Sequence, residues 1–161
     1  MGKSGVNNPF REDLVSRNLA EACSVVIFGA TGDLTHRKLI PALYNLAIDG
    51  ELPAGVRILG FARRDWSDEF FREGLETLNR QVSRTGHDGE IWESLAANIE
   101  YHKSEFQDKG GYNRLSDRLD EIDRERGGKG NRLFYIASAP EYFDDILLNL
   151  KEAGLSQERP D

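Results

Sequence analysis

Residues 24–43, Ser-Val-Val-Ile-Phe-Gly-Ala-Thr-Gly-Asp-Leu-Thr-His-Arg-Lys-Leu-Ile-Pro-Ala-Leu, constrain this chain more than any other stretch. Val25, Val26, Ile27 and Phe28 follow one another without polar alternation, so as a strand they need cover on both faces, as in the middle of a parallel sheet. Gly29 and Gly32 then end the run. Glycine at a strand-to-helix turn takes backbone angles that a Cβ forbids and lets a ligand approach the main chain. Unpaired N–H groups and the dipole at the start of the next helix suit a phosphate. The same glycines also fit an ordinary tight turn. Ile27 stands where the G-x-G-x-x-G fingerprint places its first glycine, so the motif needs support from the rest of the chain.

Composition narrows the function. A chain of 161 residues, 39% hydrophobic and 30% charged, has material for one domain with a sizeable core. No apolar run approaches the ~20 residues that span a bilayer, and the N-terminus lacks a signal-peptide core. One cysteine, Cys23, makes no internal disulfide and reads as core filler in a reducing compartment. The expected location is therefore cytoplasmic, with no membrane partner. His36, His87 and His102 are too scattered to pattern a metal site. A formal net charge of -7 argues against general nucleic-acid binding, so any phosphate site must be local.

Residues 1–20 are polar and read as a flexible arm or a short helix from about Arg11 to Arg17, followed by one domain over 21–161. After the glycine turn, Asp33 is placed to cap a helix. Pro41 implies a kink or a fresh helix start, and Gly50 a helix end. A second strand spans 56–61. Ser67 starts a helix running to about Arg84, and a short helix covers 91–97. Residues 98–106, more polar, suggest an edge strand ending in Glu105 and Phe106. Gly110 and Gly111 open a helix with Tyr112, Leu115, Leu119 and Ile122 on one face, ended by glycines after Arg126. A fourth strand at 133–137 leads to Pro140 and a last helix stopped by Gly154.

Strands alternating with helices define an α/β fold with a doubly wound, mostly parallel sheet. Were the strand order 3-2-1-4, the switch point would fall between the first and fourth strands. The Gly29 loop would then face Ser138, Ala139 and Pro140 across one crevice, with Arg63 beside it. NAD binders place an acid at the end of the second strand, whereas arginine there suits the 2′-phosphate of NADP. Arg63 occupies that place, although it also fits a solvated surface residue next to Arg64.

Gly29-Ala30-Thr31-Gly32-Asp33-Leu34-Thr35-His36-Arg37-Lys38, the Gly60-Phe61-Ala62-Arg63 strand end and residues 130–140 together resemble the glucose-6-phosphate dehydrogenase family in the right order. The resemblance implies a Rossmann-like domain and NADP-dependent oxidation of glucose 6-phosphate to 6-phosphogluconolactone in the pentose phosphate pathway. It implies that Gly29, Ala30, Thr31, Gly32, Asp33, Leu34, Thr35 and His36 hold the coenzyme, with Thr31 and Arg63 at the 2′-phosphate. Glu105, Phe106, Ala137, Ser138 and Pro140 would line its adenosine and nicotinamide side. Lys38 would face the substrate, or else be a solvated helix lysine. Thr35 replaces the family's usual alanine.

The family's Glu-Lys-Pro-Phe-Gly substrate segment and Asp-His-Tyr base segment do not occur here, and Glu158-Arg159-Pro160 follows no apolar strand. The expectation is a truncated coenzyme domain with no catalytic residue, weak NADP binding and no turnover. His36 reads as a loop residue rather than the base. A full-length relative would be a homo-oligomer, this chain a possible monomer. The competing readings are a short-chain-dehydrogenase-like enzyme, whose third glycine and Tyr-x-x-x-Lys pair are absent, and a non-catalytic nucleotide-binding module.

Overall fold

The computed structural model describes residues 21–83, 86–127 and 130–158. The arm expected over 1–20 lies outside them. Four strands, β1 (Ser24–Phe28), β2 (Arg57–Ala62), β3 (Ile99–Lys103) and β4 (Arg132–Ile136), form one parallel sheet in the order β3-β2-β1-β4. This is the α/β doubly wound order in which the switch point lies between β1 and β4. The unbroken apolar run explains why β1 is central: all five of its residues are buried. β3 and β4 are partly exposed outer strands, as the polar character of β3 suggests.

Alternate residues of β1 and β2 serve two cores. Val25, Ile27 and Ile58 face Ile40 and Tyr44 of α1 (Ile40–Ile48), Phe71 and Leu75 of α2 (Asp68–Val82), and Trp92 and Leu95 of α3 (Gly89–Ala96). Val26, Phe28, Leu59 and Phe61 face Tyr112, Leu115, Leu119 and Ile122 of α4 (Lys109–Arg126), with Ile146 and Leu150 of α5 (Phe143–Glu152). Burying large apolar side chains at ~1.5–3 kcal/mol each on both faces is what holds the sheet's centre.

Local chemistry sets the boundaries. Ser67 accepts a hydrogen bond from the Phe70 amide at 3.2 Å and caps α2 as expected. The helix near Ile91 starts earlier than its sequence suggests, because the Asp88 carboxylate accepts from the Glu90 and Ile91 amides at 3.0 and 3.2 Å. Asp33 departs from its expected capping role. It makes an ion pair with Arg37 one turn on, at 2.6 Å, and the helical start beside it has no side-chain cap. Thr35–Leu39 form a wide π-type turn in which the Ile40 amide reaches back to the Thr35 carbonyl. Pro41 supplies the cause, since it has no N–H to give the Arg37 carbonyl and its ring crowds that group. The normal ladder opens there and α1 begins afresh with Pro41 in its first turn.

The third strand is shorter than expected. β3 ends at Lys103, the Ser104 amide donates to the Ala62 carbonyl at 2.9 Å, and the Asp108 amide turns back to Glu105 at 3.2 Å. Glu105 and Phe106 therefore sit in the loop before α4 rather than on the strand.

Candidate functional site

The loops after all four strands meet in a cleft of about 260 Å³, lined by Gly29, Thr31 and Gly32 after β1, Ala62 and Arg63 at the end of β2, Ser104, Glu105 and Phe106 after β3, and Ala137, Ser138, Ala139 and Tyr142 after β4. Hydrogen bonds tie these loops to the sheet. The Gly29 and Ala30 amides donate to the Phe61 carbonyl at 3.0 and 3.3 Å, and the Ala137 amide donates to the Phe28 carbonyl at 2.8 Å.

Gly29 has φ +86, and a Cβ there would lie 2.7 Å from the Ala137 carbonyl oxygen. Only glycine lets β1 turn this close to the β4 loop. Gly32 has no positive φ, but a Cβ there would press on the Gly29 carbonyl oxygen at 3.1 Å, the same oxygen that accepts from the Gly32 amide at 3.0 Å and closes the turn.

Not every loop residue faces the cleft. Ala30 is fully buried and packs with the α1–α3 core. Thr35 is also fully buried, and its hydroxyl donates to the Gly29 carbonyl at 3.3 Å, so it braces the loop from behind. His36 is half-buried with its ring edge on Phe71 at 6.4 Å and its Nε2 enclosed without a partner. Burial pushes its pKa below the ordinary 6.5 despite a hydrogen bond to the Ala30 backbone and the nearby Asp33 carboxylate. Asp33, Leu34 and Lys38 stand exposed on the helical start, outside the lining. Pro140 opens a short 3-10 turn behind the lining, and Ala139 and Tyr142 take the wall instead.

Arg63 reaches the cleft exposed and makes no ion pair among the described residues. Across from it, Phe106 stacks on Phe61 at 6.1 Å and packs against Tyr142 at 5.2 Å. The Tyr112 hydroxyl and the Asn149 side-chain amide both donate to the Phe106 carbonyl at 2.9 Å, which pins that loop. No sequence motif marks Ser104 or Tyr142, and Ala62 enters only as part of the Gly60-Phe61-Ala62-Arg63 strand end. Tyr142 could be found only by noting that a turn begun at Pro140 brings it back toward the strand ends.

The described residues contain no cluster of His, Cys, Asp and Glu able to hold a metal, and no described helix is long and apolar enough to cross a membrane.

Clefts at this position, outside the carboxyl ends of parallel strands where their order reverses, mark the Rossmann-like, nucleotide-binding class of α/β proteins. Comparison narrows the class. A family model described as "Glucose-6-phosphate dehydrogenase, NAD binding domain" matches residues 26–161, and the chain belongs to this family. Among curated relatives, glucose-6-phosphate 1-dehydrogenase of Chlamydia muridarum is 47% identical over 134 residues, covering 83% of this chain and 26% of the relative. That of Chlamydia pneumoniae is 44% identical over 139 residues, covering 86% and 27%. A solved glucose-6-phosphate dehydrogenase in complex with its substrate glucose-6-phosphate superposes with a TM-score of 0.77 at 30% identity, covering 86% of this chain and 28% of the other. The chain thus spans about 27% of the length of such relatives. Membership in this family replaces the short-chain-dehydrogenase-like alternative.

Proposed function

We propose that this chain is the coenzyme-binding part of an enzyme that oxidises glucose 6-phosphate at C1 with NADP, giving 6-phosphogluconolactone at the entry to the pentose phosphate pathway. The carrying observation is the pairing of a glycine turn with an unpaired arginine across one cleft: Gly29 and Gly32 keep the backbone bare, and Arg63 has no carboxylate partner among the described residues. This donor set fits a nucleotide carrying an extra phosphate. Guanidinium presents a planar fork that matches phosphate oxygens, whereas a NAD-selective site would place an acid here to hold a ribose hydroxyl.

The bound nicotinamide would accept the hydride from C1. The Gly29–Gly32 turn would seat the pyrophosphate, Thr31 and Arg63 the 2′-phosphate, and Phe106 with Ala137 and Ser138 the flanking walls. Oxidation at C1 also requires a base within hydrogen-bond reach of the leaving hydroxyl proton. His36, the histidine nearest the glycine loop in sequence, turns its ring to Phe71 and does not line the cleft. This chain is therefore read as supplying binding and orientation, without turnover by itself. Its single cysteine suits a cytoplasmic enzyme, and a homo-oligomer is the reading for a full-length protein.

Calorimetric titration with NADP and NAD tests this. A charge-assisted contact worth ~1.5–3 kcal/mol corresponds to a preference for NADP of roughly 10- to 100-fold. Arg63→Ala is expected to remove that preference and leave NAD binding unchanged. Equal affinity for the two coenzymes in the unaltered chain would refute the reading.

A further inference from the structure

The bend between β2 and α2 that carries Arg63 is held from several directions. The Tyr101 hydroxyl, from β3, donates to the Arg64 carbonyl at 2.8 Å, and the Trp66 amide donates to the same oxygen at 3.0 Å. The Arg64 guanidinium lies over the Trp66 ring, 5.4 Å from its centroid. Lys103, two residues beyond Tyr101, pairs with Asp65 at 2.9 Å. Tyr101 is itself fixed: its amide donates to the Asp68 carboxylate at 2.6 Å, and its ring packs on Phe71 at 5.0 Å and Trp66 at 6.0 Å. In the sheet it stands beside Gly60, whose missing side chain is what lets Phe71 lie against the strand. Every residue of the bend except Arg63 is thus engaged, and Arg63 alone is left free to face the cleft.

We infer that Tyr101 is a positioning residue for coenzyme selectivity: its hydroxyl locks the Arg64 carbonyl and so aims the neighbouring Arg63 guanidinium at a phosphate on the nucleotide ribose. The inference rests on the reading of Arg63 given under Proposed function. Preorganisation is the physical link, since a guanidinium on a fixed bend loses less freedom on meeting its phosphate than one on a loose bend. Burial raises the pKa of the Tyr101 phenol to about 12, so it remains a donor across the neutral range. No residue of β3 carries a motif that points to this role.

Tyr101→Phe keeps the ring and its packing on Phe71 and Trp66 and removes only the hydroxyl. Adenosine 2′,5′-bisphosphate and adenosine 5′-monophosphate are titrated into the unaltered chain, Tyr101→Phe and Arg63→Ala, and amide hydrogen exchange is read at Trp66. Loss of one hydrogen bond of ordinary strength predicts a drop in preference for the bisphosphate of about 2- to 10-fold in Tyr101→Phe. Monophosphate affinity should be unchanged, and Trp66 exchange faster. Equal weakening of both probes would mean a merely structural role and overturn the inference. So would an unchanged preference in Tyr101→Phe beside its loss in Arg63→Ala, an outcome that leaves the reading of Arg63 intact. Absence of any preference in the unaltered chain would overturn both.

Discussion

Substituting Gly29 by alanine separates two costs that glycine avoids at this position. The first is conformational: at φ +86 an L side chain crowds its own backbone, at a cost of ~1–2 kcal/mol. The second is tertiary. The new Cβ would meet the Ala137 carbonyl oxygen at 2.7 Å, its carbon at 3.0 Å and the Ser138 amide nitrogen at 3.2 Å, all of them backbone that cannot rotate away. Parting the β1 and β4 loops enough to restore ordinary contact is an overpacking strain of ~1–3 kcal/mol. Alanine also restricts the unfolded chain, which returns ~0.4–1 kcal/mol where the native angles are compatible and less here. The net loss is about 2–4 kcal/mol, a large part of the ~5–15 kcal/mol that stabilises a typical domain. Gly50 provides the control, because it has φ +67 and nothing within 4 Å of a Cβ. Gly50→Ala should carry the conformational cost alone, ~1 kcal/mol. In urea denaturation, with a slope of ~1–3 kcal/mol per molar, Gly29→Ala should shift the midpoint down by at least twice as much as Gly50→Ala. Equal shifts would show that the close approach of the two loops does not exist.

Two further outcomes follow from single groups. Burial lowers the pKa of His36 and of His102, each below the ordinary 6.5, and the Arg118 hydrogen bond lowers that of Glu100 below 4.5. In each case the unfolded chain takes up the proton first, so stability is complete above the ordinary value and falls as pH drops below it. The urea midpoint should therefore decline from about pH 7.5 to about pH 5.5, with a smaller decline in the His36→Asn, His102→Asn double variant; a midpoint that rises on acidification would refute the assignment. Asp88→Ala removes the carboxylate that caps α3 and should cost ~1 kcal/mol, seen as a drop of about 3 °C in thermal melting; an unchanged Tm would mean that the cap contributes nothing.

The strand at 24–28 was legible because no polar residue interrupts it, and the glycine turn because Gly29 needs its backbone angle whatever packs around it. Ser67 was legible for a similar reason, since its partner lies three residues away. What the sequence concealed depends on neighbours distant in the chain. Asp33 had two equally local options, and the exposed Arg37 won over the helix end. Thr35, set among residues that resemble a coenzyme loop, is turned inward by a hydrogen bond to the Gly29 carbonyl. Gly60 reads as a weak point in a strand until Phe71 and Ala30 are placed against it, at 2.6 and 2.8 Å from where its Cβ would be. Glu105 and Phe106 leave the strand because Asp108 turns the chain back to cap α4.

The placement of the cleft follows from the register of the sheet. Phe28 stands opposite both Phe61 and Ile136, and Ala62 opposite Lys103, so the four strands end nearly level. The first residue beyond three of the strands then continues the ladder: Gly29 to Phe61, Ala137 to Phe28, Ser104 to Ala62. Loops that begin with a sheet hydrogen bond inherit the sheet's position, and these loops carry Thr31, Ser138 and Glu105 into the same space. A slip of one residue in β4 would exchange Phe134 and Ile136, which pack on the α4–α5 core, for the exposed Leu133 and Tyr135. It would also carry Ala137 away from Gly29, where the bare backbone has room for nothing else. The register that turns Phe134 and Ile136 into the core is therefore the same one that keeps the β4 loop against the glycine turn.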